Sequence, residues 1–114
     1  MNAVAATPLA PFAVRVRHES GKVVVAPAGE LDLASAALLE REFGGLPRDG
    51  RKRVVLDLRE VQFIDSTGLR LLLSLRNTAK RERRSLRVVP GPARVQRIFE
   101  LTCTHGLFDW VEAG

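Results

Sequence analysis

Val61-Gln62-Phe63-Ile64-Asp65-Ser66-Thr67-Gly68-Leu69 runs from an apolar approach (Val61, Phe63, Ile64) into the head of a Leu-rich helix, and its reading decides the fold. Asp65, Ser66 and Thr67 are helix-capping residue types. Behind them Leu69, Leu72, Leu75 and Ala79 mark one helical stripe, widened by Leu71 and Leu73. The helix is expected to close near Arg84, in the basic cluster Lys80, Arg81, Arg83, Arg84 and Arg87, where the C-terminal dipole favours cations. A hydroxyl at a helix start also sits where backbone N–H groups are unpaired and anions are welcome. The tetrad Asp65-Ser66-Thr67-Gly68 therefore reads either as plain capping or as a modifiable serine, a switch rather than a catalyst.

Outward from this stretch, Ala13 to Arg17 and Lys22 to Pro27 have strand patterns, and Glu19-Ser20-Gly21 between them has turn chemistry, so a hairpin opens the fold. Leu33 to Phe43 follows as a helix: Asp32 is its N-cap, Ala36, Leu39 and Phe43 share a face, and Gly44-Gly45-Leu46-Pro47 stops it. Val54 to Leu58 is a nearly continuous apolar run, the pattern of a central strand covered on both faces. Leu86 to Val89 is a further strand, broken by Pro90-Gly91-Pro92. Val95, Ile98, Phe99 and Thr102 give a third helical stripe, and Phe108 to Val111 a last short strand. The order β-β-α-β-α-β-α-β implies an α/β domain: a mostly parallel open sheet entered by a β-hairpin, with about three helices packed on it.

The 114 residues suit one domain, 12–114, burying about 65 per cent of the surface its unfolded chain exposes. Residues 1–11, Ala- and Pro-rich but without a basic signal-like start, are expected to be a flexible leader. No apolar run approaches membrane-spanning length, which predicts a soluble protein without membrane insertion. Cys103 stands alone, so no internal disulfide is possible. That fits a reducing cytoplasm, and its apolar neighbours suggest a small packed side chain rather than a nucleophile. The net charge of +5 raises nucleic-acid binding. With no Tyr, one Trp and no aromatics interleaved among the basic residues, no direct nucleic-acid contact is expected. His18 and His105 are the only candidate bases, and Ser66 lacks a G-x-S-x-G elbow, so no enzyme activity, cofactor or metal is expected.

In open parallel sheets, sites form at the rim outside the carboxyl ends of the strands. Two loops qualify, Gly29 to Asp32 and Arg59 to Asp65, so Glu30, Asp32, Asp65 and Ser66 are expected to meet there. Such carboxylates can orient a hydroxyl or bind a partner, and they would repel a phosphate of about −1.5 to −2 charge.

Gly29-Glu30-Leu31-Asp32, then Val55-Leu56-Asp57-Leu58, then Phe63-Ile64-Asp65-Ser66-Thr67-Gly68-Leu69, in this order and with the tail Val95 to Phe108, resemble the signature blocks of the anti-sigma factor antagonist family, the STAS domain. The resemblance, from about Phe12 to Val111, implies a cytoplasmic bacterial regulator. Such a regulator binds an anti-sigma factor serine kinase to free a sigma factor, is inactivated by phosphorylation of the serine matching Ser66, and is reset by a serine phosphatase. It also implies partner-binding roles for Asp32, for Gly68 as a point of close approach, and for Leu69 in the partner-facing ridge or its packing. Glu30, Asp65 and Thr67 belong to the same expected surface. Arg70 departs from the pattern, since a small residue often stands there; it could pair with a phosphate on Ser66 or select a kinase by charge. Cys103-Thr104-His105-Gly106 is an atypical tail. A STAS scaffold or transport-system subunit that binds its partner through this surface without phosphorylation is the alternative reading. Neither kinase, sigma factor nor oligomeric state follows from the sequence.

Overall fold

A computed structural model describes residues 12–47 and 53–113; the leader expected over residues 1–11 lies outside them. The chain runs β1 (Ala13–Glu19), β2 (Lys22–Leu31), α1 (Leu33–Gly44), β3 (Arg53–Asp57), β4 (Val61–Ile64), α2 (Ser66–Arg81), β5 (Leu86–Val89) and α3 (Ala93–Leu101), then a short 3-10 turn at His105–Leu107. The sheet order is β1-β2-β3-β5, with β4 also paired to β2. β1 is antiparallel to β2, and the other pairings are parallel. This is the expected hairpin-opened, mostly parallel sheet with three helices.

The strand period of two sends Val23, Val25, Val54, Leu56 and Val88 to one face. There they form a single core with Leu39 of α1, Leu69, Leu72 and Leu75 of α2, and Val95 and Phe99 of α3. The helical stripes read from the sequence are thus the faces that bury. On α1, Ser35 joins them: its hydroxyl donates to the Glu30 carbonyl at 2.6 Å and accepts the Asp32 N–H at 2.9 Å.

Three details of the sheet differ from the expectation. First, β2 does not stop at Pro27 but continues to Leu31. It pairs with β3 through Val25 and takes up β4 from Gly29, with a register shift between Gly29 and Glu30. Pro27 is tolerated because it sits in the gap between the two partners, where β2 has no parallel ladder to serve with an N–H. Second, the apolar approach to the tetrad is itself this extra strand, β4. A turn in which the Val61 N–H donates to the Leu58 carbonyl separates it from β3.

Third, the end of the chain forms a single bridge, Val88 to Trp110, instead of a full strand. Two hydrogen bonds of 2.9 Å, Val88 N–H to the Asp109 carbonyl and Val111 N–H to the Val88 carbonyl, hold it against β5. Side chains do the rest: Phe99 meets Phe108 and Trp110 edge-on at 5.3 and 5.0 Å, and the Trp110 indole donates to the His105 carbonyl. Cys103, expected to be packed, is exposed, because it occupies a left-handed position (φ 57°) that ends α3. Similarly, α2 ends at Arg81, and left-handed Arg83 turns the chain out of it.

Candidate partner-binding site

Parallel pairing of Glu30 with Phe63 and of Leu31 with Ile64 brings β2 and β4 to the same sheet end in step. The next residue of each strand is an aspartate, and each caps the helix that follows. Asp32 Oδ1 accepts the N–H groups of Ala34 and Ser35 at 3.0 and 3.1 Å, while Asp65 Oδ1 accepts that of Gly68 at 2.9 Å. Neighbouring strands lie about 4.8 Å apart. Two helix N-termini, each headed by a carboxylate, therefore open side by side.

The capping reading of the tetrad is thus correct for Asp65, and Ser66 takes no part in the cap. As the first residue of α2, Ser66 is exposed, and among the described residues nothing hydrogen-bonds its hydroxyl. The Asp65 backbone fixes its position: the Asp65 N–H donates to the Leu31 carbonyl at 3.3 Å, and the Asp65 carbonyl accepts the Leu69 N–H at 2.9 Å. A hydroxyl so held is aimed at solvent beside unpaired helix N–H groups.

Gly68 is a point of close approach. A Cβ there would meet the Leu31 carbonyl oxygen at 2.4 Å and Ile64 Cγ1 at 2.9 Å. Its missing side chain lets the first turn of α2 lie on the end of β2. Leu69 is buried in the core, so of its two expected roles its position serves packing rather than a partner-facing ridge. Thr67 is half-buried. Arg70, one turn beyond Ser66, is exposed and has no side-chain partner among the described residues.

The structure thus brings Glu30, Asp32, Asp65, Ser66 and Thr67 to one sheet end, as expected, and adds two residues that sequence reasoning missed. Leu33, directly after the Asp32 cap, is 76% exposed, and Phe63, beside Glu30, is 49% exposed. Helical spacing groups Leu33 with Ala36 and the core stripe, but at the first position of α1 it projects past the sheet end. Phe63 lies in an apolar run, and no local pattern separates it from a core residue. Large apolar side chains beside an exposed hydroxyl and carboxylates have the composition of a docking surface.

Comparison with known proteins agrees with this fold. A family model described as Mlab, STAS domain matches residues 14–109. The anti-sigma-F factor antagonist RsfB of Mycobacterium tuberculosis is 39% identical over 59 residues, 52% of this chain and 48% of that protein, so the chain spans about half its length. The anti-sigma-B factor antagonist of Staphylococcus aureus is 30% identical over 74 residues, 65% of this chain and 68% of that protein. A crystal structure of an anti-sigma factor antagonist from Mycobacterium paratuberculosis superposes with a TM-score of 0.79 at 27% identity, covering 90% of this chain and 87% of that one. By motif order, fold and these matches, the chain belongs to the STAS-domain family of the anti-sigma factor antagonists.

Proposed function

We propose that this protein is an anti-sigma factor antagonist of the bacterial cytoplasm. It binds an anti-sigma factor serine kinase through the sheet-end rim, releasing a sigma factor, and is switched off when the kinase phosphorylates Ser66. A serine phosphatase restores it. The observation that carries this reading is the exposed Ser66 hydroxyl, unbonded among the described residues, at the first position of α2, one of two neighbouring carboxylate-capped helix starts.

The physics of the switch follows from that placement. The helix N-terminus tolerates a new anion, so modification does not require α2 to unfold. The partner surface tolerates it less: a face that has docked on a neutral hydroxyl, flanking carboxylates, Leu33 and Phe63 meets an added charge of about −1.5 to −2. Every 1.4 kcal/mol lost this way is about a tenfold loss in affinity.

The test is intact mass with peptide mapping after incubation with ATP and each anti-sigma-type serine kinase from the same source. One added phosphate on Ser66, absent in Ser66→Ala, is expected. Binding should survive Ser66→Ala and weaken in Ser66→Asp. Absence of phosphate with every such kinase, even after phosphatase pretreatment, would replace this reading with a scaffold or transport-system module using the same rim unmodified.

A further inference from the structure

We propose that Arg70 is the built-in partner of a phosphate on Ser66: in the modified protein its guanidinium folds back over the first turn of α2 and takes the phosphate oxygens. This inference rests on the reading of Ser66 given above and deepens it, by naming what the new anion meets on its own chain. Arg70 lies four residues after Ser66 in the same helix, and both are exposed. Residues four apart in a helix are neighbours, with about 5–6 Å between their Cβ atoms, and an anion N-terminal to a cation is the favourable order. Direction completes the match. Helical side chains lean toward the N-terminus and cover the turn before their own Cα, so the Arg70 side chain leans over position 66.

Among the described residues no hydrogen bond or ion pair engages the Arg70 side chain, although three carboxylates share this end of the sheet. Two of those are occupied as caps, Asp65 by the Gly68 N–H and Asp32 by those of Ala34 and Ser35. Other arginines around the rim are engaged as well: Arg59 is held by Asp57, and Arg94 Nε donates to the Gln62 carbonyl of β4 at 2.6 Å. Within α2, Arg70 is the only charged residue before Arg76, which lies about 15 Å along the axis from Ser66. Arg76, Lys80 and Arg81 stand in the second half of the helix, toward the end where the dipole favours cations, whereas Arg70 stands near the positive end and gains nothing from it. A dianion four residues before this misplaced cation would restore the charge pattern of the helix.

A phosphoserine offers three acceptor oxygens, and a guanidinium meets two of them in parallel. Both groups are carried by helix already in place, so only their side chains lose freedom on pairing. The effect on a docked partner is double. Before modification the rim presents a neutral hydroxyl beside a free cation. Afterwards the anion is added and the cation is drawn onto it, so a partner carboxylate that had met Arg70 loses that contact as well.

The test builds phosphoserine into position 66 of the whole protein during translation, so that no kinase is needed. Phosphorus NMR then follows the second ionisation of the phosphate, ordinarily near about pH 6, at low ionic strength. A cation held against the dianion lowers that midpoint. It is expected to lie about 0.3 pH unit or more below its value in Arg70→Gln. Arg70→Lys should restore part of the difference, because an ammonium keeps the charge without the two-pronged geometry. Arg81→Gln, which removes the same charge from the far end of α2, should leave the midpoint unchanged, and proton spectra verify the folding of each variant. In about 1 M salt, where the screening length is about 3 Å, the difference should shrink. Equal midpoints with Arg70 and with Arg70→Gln, or an equal displacement in Arg81→Gln, would overturn the proposal. Either result leaves the kinase reading standing, since the phosphate is supplied without a kinase, and a failure of every kinase to modify Ser66 leaves this measurement unaffected.

Discussion

A Cβ on Gly68 would lie 2.4 Å from the carbonyl oxygen of Leu31, so the first turn of α2 rests on the end of β2 with no room for a side chain. Two effects oppose each other in Gly68→Ala. Helix propensity favours alanine by about 1 kcal/mol, whereas the clash is with backbone, which cannot step aside as a flexible side chain would. The clash should win. We expect a net loss of about 2–4 kcal/mol in urea denaturation. A stabilised variant would mean that the start of α2 can lift from the strand.

Ser66→Asp should separate stability from binding. A carboxylate at the first position of α2 meets the positive end of the helix dipole, and Ser66 is exposed, so stability should be unchanged or raised by up to about 1 kcal/mol. Calorimetry on the isolated protein checks this, and pull-down with the cognate kinase checks the accompanying loss of affinity. A variant that both unfolds and fails to bind would show that Ser66 acts through structure.

Leu33→Ser and Phe63→Ser probe the apolar part of the rim. Leu33 is largely in water, so its change should move stability by no more than about 0.5 kcal/mol, whereas Phe63 is half-buried and its change should cost about 1 kcal/mol. If these residues anchor the partner, each should weaken binding about tenfold or more, measured by titration calorimetry. Unchanged affinity in both would place the contact elsewhere.

Ser35→Ala removes a buried hydroxyl that serves the Glu30 carbonyl and the Asp32 N–H together. Leaving those groups short of a partner should lower stability by about 1–2 kcal/mol in chemical denaturation. Loss of this capping box would also loosen the turn that presents Asp32 and Leu33.

These residues show why parts of the protein were legible and others were not. Helical stripes are long and periodic, and α1, α2 and α3 bury the faces that their Leu, Val and Phe spacing announces. Ser66, Asp65 and Asp32 were visible because caps are local chemistry. β4 was hidden because four residues next to a helix start carry little period of their own, and the β2 extension because Pro27 ordinarily ends a strand. The gap between two partners that makes Pro27 harmless exists only in the folded sheet. Cys103 and Leu33 show the same limit at helix ends, where the last or first turn outruns the core that its spacing points to.

The Asp57–Arg59 pair sets an acid limit. Burial raises the Asp57 carboxyl, but hydrogen bonds from the Arg59 guanidinium and backbone, with its charge, outweigh this and hold it below the usual 3.8. A depressed carboxyl stabilises the fold above its unfolded value, and that contribution is lost as pH falls through the folded one. Stability should therefore decline below about pH 4, and Asp57→Asn should flatten that decline while costing about 1 kcal/mol near neutrality. Urea titrations at both pH values check the sign. An equal acid decline in the variant would assign it to other carboxylates.

Asp65 ties α2 to β2 three ways: its N–H to Leu31, its carbonyl to Leu69 and its carboxylate to Gly68. A phosphate on Ser66 would thus be added to a scaffold with little slack, leaving the molecule's outline nearly as before. The message would be written in charge rather than in shape. Such a message has a short range, about 8 Å at physiological salt. Only a protein that touches the rim could read it, and one held elsewhere on the domain would carry both forms alike.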